Sequence, residues 1–109
     1  GLALGKLGGY ALLACNSGEQ AIEVAPGFSP DLLLLDVNMP ALDGFATLER
    51  LRAIGVLAPA IFFTSRAGAE DVARYREAGA LGSIPKPFDP LKLGRQILRL
   101  WNAGYPSGG

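Results

Sequence analysis

Leu32-Leu33-Leu34-Leu35-Asp36-Val37-Asn38-Met39-Pro40 decides the fold. A leucine run with no polar alternation is how a strand reads when helices cover both faces of its sheet. The run ends in a carboxylate and breaks into a turn at Pro40 and Gly44, so Asp36 is expected at the carboxyl end of a parallel strand. Open α/β sheets present reactive groups to solvent there.

Two further segments repeat this design downstream. Pro59-Ala60-Ile61-Phe62-Phe63-Thr64 is apolar until its terminal hydroxyl, and Leu81 to Ile84 is a short apolar stretch before Pro85-Lys86-Pro87-Phe88. Upstream, Tyr10 to Cys15 reads as a short buried strand. Helical segments alternate with these strands. Asn16 or Ser17 can cap a helix from Glu19 to Ala25 that Pro26-Gly27 ends. Asp43 can cap Gly44 to Ala53, with Phe45, Leu48 and Leu51 inward, and Gly55 stops it. Ala69 to Ala78 carries few apolar residues and is expected to be solvent-facing and weakly held, with Gly79 just past its end. Asp89-Pro90 opens a last helix, from Leu91 to about Asn102. Gly1 to Gly9 is short and glycine-rich and is read as the tail of a helix stopped by Gly8-Gly9. Strands and helices alternating at this spacing imply right-handed βαβ units around a parallel sheet. Asp36, Thr64 and Lys86 then share one end of it.

Composition narrows the chemistry. The 109 residues suit one core, which buries roughly two thirds of the surface of the unfolded chain. Ten basic residues balance ten acidic ones, so no general attraction to nucleic acid or anionic lipid is expected. With no histidine and one cysteine, a site of soft metal ligands is excluded, and magnesium or calcium held by oxygens is the remaining class of ion. Cys15 lies in an apolar stretch and reads as a small buried hydrophobe. No signal peptide and no apolar run of membrane-spanning length is apparent, which points to a soluble, reducing, cytoplasmic setting.

Taken singly, the three residues are ordinary. An Asp after a strand is most often a turn-former, a Thr at a strand's end is a β-branched residue, and a Lys beyond one is a solvated charge. Together they form a phosphoryl-transfer set, with a carboxylate as nucleophile, a hydroxyl to donate to a phosphoryl oxygen and an ammonium to neutralise charge. Separations of twenty-eight and twenty-two residues each leave room for one helix and one strand.

The motifs Leu33 to Gly44, Phe62-Phe63-Thr64-Ser65, Gly79-Ala80 and Ile84-Pro85-Lys86-Pro87-Phe88 resemble the receiver domain of bacterial two-component response regulators. The resemblance covers essentially the whole chain. It implies a flavodoxin-like, doubly wound parallel sheet of strand order 2-1-3-4-5, with a receiver domain over residues 1–103 and a flexible tail or linker over 104–109. Asp36 would be the phosphoacceptor, taking a phosphoryl group from a sensor histidine kinase or phosphotransfer protein. Thr64 and Lys86 would contact the phosphoryl oxygens and couple them to the surface of the last two helices, through which a homodimer is also implied. The backbone carbonyl of Asn38, with Asp36, would be a magnesium ligand. Lys86-Pro87 would be a cis peptide, and the side chains of Asn38 and Arg66 would tune the lifetime, hence any autophosphatase activity, of the acyl phosphate.

The chain departs from that pattern in two places. The first strand of a receiver ends in an acidic pair that holds magnesium, whereas Gly1 to Gly9 contains no acidic residue. The chain therefore reads as an N-terminally incomplete receiver, starting inside the first helix. The empty slot between Tyr10–Cys15 and Leu32–Asp36 would expose two strand edges, unless collapse or a strand exchanged with another copy fills it. Second, Ser83 stands where many receivers place a switching aromatic. Both departures suit the alternative of a phosphorylation-independent adaptor. A haloacid-dehalogenase-type phosphatase would need a general acid two residues after the nucleophile, where this chain has Asn38.

Overall fold

The computed structural model describes residues 2–7, 9–38, 42–66, 68–86 and 89–104. Met39-Pro40, the Lys86-Pro87 peptide bond and the tail beyond Gly104 lie outside or at the border of these residues. Leu32 and its successors form the central strand β3 (Leu32–Asp36), flanked by β2 (Tyr10–Cys15) on one side and by β4 (Ala60–Thr64) and β5 (Gly82–Pro85) on the other. These strands are parallel, with Leu33 opposite Leu13 and Ala60, and Ile61 opposite Gly82. The leucines of β3 are buried on both faces, each burial contributing roughly 1.5–3 kcal/mol.

Removing the first strand from the order 2-1-3-4-5 leaves the parallel set observed here. The expected gap is closed: β2 pairs directly with β3, Leu12 with Leu32 through Cys15 with Leu35. Unpaired backbone groups inside a sheet are too costly to leave open, so the neighbouring strands collapse together. The segment read as a helix tail is instead strand β1 (Leu2–Leu7), antiparallel to β2 with Leu2 opposite Cys15 and Leu7 opposite Tyr10. The Gly-Gly pair taken as a helix stop also has the chemistry of a two-residue hairpin turn, and Gly9 adopts a φ of +89° in it. A short, glycine-rich segment has little to nucleate a helix, whereas pairing with β2 satisfies its backbone.

The strands now run in sequence order, so right-handed crossovers put α1 (Gly18–Phe28), α2 (Gly44–Ala53) and α3 (Ala69–Glu77) on one face. Leu13, Leu33, Leu35, Ala60 and Phe62 point to that face, where Ala21, Leu48, Leu51 and Tyr75 pack on them. The alternate residues Leu32, Leu34 and Ile61 face α4 (Pro90–Gly104), whose Ile97 is buried and whose Leu93, Leu100 and Trp101 are partly so. Tyr10 and Trp101 extend this second face, their ring centroids 5.0 Å apart.

Most element boundaries follow the local chemistry expected of them. Asp43 Oδ1 accepts from the Ala46 N–H at 2.8 Å, Ser17 Oγ from the Gln20 N–H at 3.4 Å, and Asp89 Oδ1 from the Leu91 N–H at 2.9 Å. Gly55 and Gly79 take positive φ at the ends of α2 and α3. Pro26 does not end α1; the helix runs through it to Phe28, and Ser29 closes it in the left-handed region, returning its N–H to the Ala25 carbonyl at 2.9 Å. A proline near a C-terminus removes one donor and leaves the final turn intact. The last helix likewise continues two residues past Asn102, to Gly104.

Candidate functional site

Strand β3 delivers Asp36 to the carboxyl end of the sheet, and the ladder continues one residue further through Val37 N–H to the Phe63 carbonyl at 2.9 Å. The chain then turns. Asp36 Oδ1 accepts the Asn38 N–H at 3.0 Å, a local side-chain turn that fixes the carboxylate's orientation. Gly44 N–H bonds the Val37 carbonyl at 3.0 Å and seats the start of α2 against the end of β3. The seat is tight: a Cβ on Gly44 would lie 2.7 Å from the Asp36 carbonyl oxygen and 3.0 Å from Val37 Cα.

On the other side, Lys86 N–H extends the β4–β5 ladder to the Thr64 carbonyl at 2.7 Å. That bond places the lysine beside β3, where its Nζ forms an ion pair with Asp36 Oδ2. The carboxylate side chain is 17 % exposed and the lysine 34 %, so both can be reached from solvent. Asp36 and Lys86 therefore meet, as their placement at strand ends implies.

Thr64 is on the same rim but engaged elsewhere. It is 1 % exposed, and its Oγ1 accepts the Arg66 N–H at 2.9 Å and lies 2.8 Å from Tyr75 Oη. Tyr75 in turn donates to the Arg66 carbonyl at 2.8 Å, and Thr64 Oγ1 approaches the same carbonyl at 3.2 Å. Among the described residues, the Thr64 hydroxyl bonds Tyr75 and the backbone of Arg66. The Tyr75 ring sits against Phe62 and Phe45, with centroids at 5.6 and 5.8 Å. In the sequence Tyr75 stands out only as the single large ring on a mostly charged helix. Arg66 has its side chain 76 % exposed and its Nε 3.8 Å from Asp71 Oδ1, a loose surface pair.

Beside this end of the sheet lies an open cleft of about 230 Å³, lined by Val37, Asn38, Asp43, Phe45, Arg66 and Tyr75 among others, with Asp36, Thr64 and Lys86 outside its lining. Arg74 stacks over Phe45 at 5.1 Å from its centroid along one wall. Burial pushes the Cys15 thiol, at the end of β2, up from its ordinary pKa.

A magnesium ion needs several oxygen ligands in near-octahedral array. Among the described residues no three His, Cys, Asp or Glu side chains cluster to hold a metal, and Asp36 is already paired with Lys86. Closing the sheet sets the β2 end, Cys15, beside Leu35, and strand β2, Tyr10–Cys15, brings no carboxylate of its own to Asp36. These residues do not by themselves fit a magnesium ion.

Comparison with known proteins gives a consistent result. A family model described as the response regulator receiver domain matches residues 3–98. The nitrate/nitrite response regulator protein NarL of Escherichia coli K12 is 39% identical over 75 residues, 69% of this chain and 35% of NarL. The sensor histidine kinase RcsC of the same strain is 37% identical over 98 residues, 90% of this chain and 10% of RcsC. The chain thus spans about a third of NarL and a tenth of RcsC. Among solved structures, the Vibrio cholerae chemotaxis protein CheY4 superposes with a TM-score of 0.69 at 28% identity, covering 76% of this chain and 71% of that one. No described helix is long and apolar enough to cross a membrane.

Proposed function

Since this chain belongs to the response regulator receiver domain family of two-component signalling, we propose that Asp36 accepts a phosphoryl group from a histidine of a sensor kinase or phosphotransfer protein. The observation that carries this reading is the Asp36–Lys86 ion pair at the carboxyl end of the sheet. An Asp36 carboxylate oxygen attacks the phosphorus of a phosphohistidine; the O–P bond forms as the N–P bond breaks, and the released imidazole nitrogen takes up a proton from solvent. Lys86 shifts from the carboxylate to the new phosphoryl oxygens, keeping a positive charge where negative charge gathers. Thr64 Oγ1 turns from Tyr75 to donate to one of those oxygens. The Asn38 and Arg66 side chains, at the rim of the cleft, set water's access to the acyl phosphate and so its lifetime. The output is a changed surface around α3 and α4, the faces through which two copies pair. Partners of this kind make the compartment cytoplasmic.

Ser83 and the lack, among the described residues, of an acidic cluster that could hold a metal favour one other reading, a receiver-like adaptor that works without phosphorylation. Acetyl phosphate in magnesium buffer, followed by intact mass, separates the two. A gain of one phosphoryl group in the wild type but not in Asp36→Asn supports the phosphoacceptor; no gain, or the same gain in both, supports the adaptor.

A further inference from the structure

Helix α3 is charged along most of its length, and among its described residues Tyr75 alone is buried, at 2 % exposure. The ring is held by Phe45 and Phe62, which a phenylalanine could satisfy equally well. The hydroxyl has a separate task. It donates to the Arg66 carbonyl and lies 2.8 Å from Thr64 Oγ1, so the helix, the loop after β4 and the strand-end hydroxyl meet at one phenol. Thr64 closes the ring of bonds by accepting the Arg66 N–H. Buried networks of this kind hold together or fail together, because each group left unpaired costs free energy.

We propose that Tyr75 is the positioning residue for Thr64, its phenol holding the Thr64 hydroxyl and the Arg66 carbonyl on the α3 side until Thr64 swings toward a group bound on Asp36. The swing breaks the Thr64–Tyr75 bond, and α3 loses its side-chain link to the end of β4 while Tyr75 keeps its bond to the Arg66 carbonyl and its ring packing. A helix with so little buried surface is the element a small change moves. Ser83, opposite Phe62 on β5, supplies no ring for such a role, and Tyr75 reaches the same hydroxyl from the helix. The trigger rests on the phosphoacceptor reading of Asp36; the resting link between Tyr75 and Thr64 does not.

A double-mutant cycle on the protein tests the link. Tyr75→Phe, Thr64→Ala and the double variant are unfolded in urea, with Tyr10→Phe, half exposed on the other face, as control. Coupled residues give a double variant that loses no more than the worse single variant, and the amide resonances of 64–66 and 72–77 shift together in both singles. Additive losses, or shifts confined to each mutated residue's neighbours, overturn the proposal. Beryllofluoride in magnesium buffer then tests the trigger: the amide shifts spread through α3 in the wild type and stay around Asp36 in Tyr75→Phe. Equal spread in both variants overturns the coupling. A wild type that does not respond removes the phosphoacceptor reading alone, since the urea cycle has already decided the link.

Discussion

Lys86 Nζ is ion-paired with Asp36 Oδ2 across fifty residues of sequence, and the pair is made by two backbone bonds that extend the ladders past the strand ends. Val37 to Phe63 fixes where the carboxylate leaves β3; Lys86 to Thr64 fixes where the lysine leaves β5. The ion pair is thus a product of strand register.

Lys86→Met should separate the pair's contribution to stability from its contribution to chemistry. A partly solvated ion pair contributes about 0–1 kcal/mol, so the urea midpoint should move little. Removing a preorganised charge from a transferring group typically costs about a hundredfold or more in rate, and labelling by acetyl phosphate should fall by that order. Stopped-time mass spectrometry measures it.

Gly44→Ala and Gly27→Ala should have opposite signs. At Gly44 a methyl meets the Asp36 carbonyl at 2.7 Å, and neither backbone can yield without moving the carboxylate, so a loss of about 1–3 kcal/mol is expected. At Gly27, inside α1, a methyl meets nothing within 4 Å. Alanine there should stabilise the helix by about 0.5–1 kcal/mol. Thermal melts report both, at roughly 4–8 °C per kcal/mol for a chain of this size.

Cys15 should be inert in the folded protein. Burial raises its pKa, so at any pH below that raised value the thiolate fraction is smaller than for an ordinary cysteine, and alkylation is slower in proportion. The difference should narrow only as the pH rises towards the raised pKa. Iodoacetamide labelling with and without urea measures the contrast. Folded-state labelling as fast as the denatured chain would show an open β2 end.

The sequence made the parallel core legible because its signals are local. A continuous run of leucines admits few readings, and Asp43, Gly55 and Gly79 each terminate or start a helix by chemistry confined to one turn. The hairpin of β1 and β2 was not legible, since Gly8-Gly9 serves a helix stop and a hairpin turn alike; the choice depends on whether β2 has a free edge to offer. Pro26 misled for a related reason: a lost donor matters less in the last turn of a helix than in its middle. At the site, Asp36, Thr64 and Lys86 could be placed on one rim from strand ends alone. That Thr64 bonds Tyr75 depends on the rotation of α3 about its axis, which a mostly charged helix does not declare.

Borohydride reduction of the acetyl phosphate-treated protein, followed by peptide sequencing in the mass spectrometer, asks directly whether Asp36 carries the acyl phosphate. Hydride reduces an aspartyl phosphate to the homoserine alcohol and leaves free carboxylates untouched. The predicted result is conversion at position 36 alone, strongly reduced in Lys86→Met. Conversion at another carboxylate, or none in a folded sample, would contradict a phosphoacceptor at the end of β3.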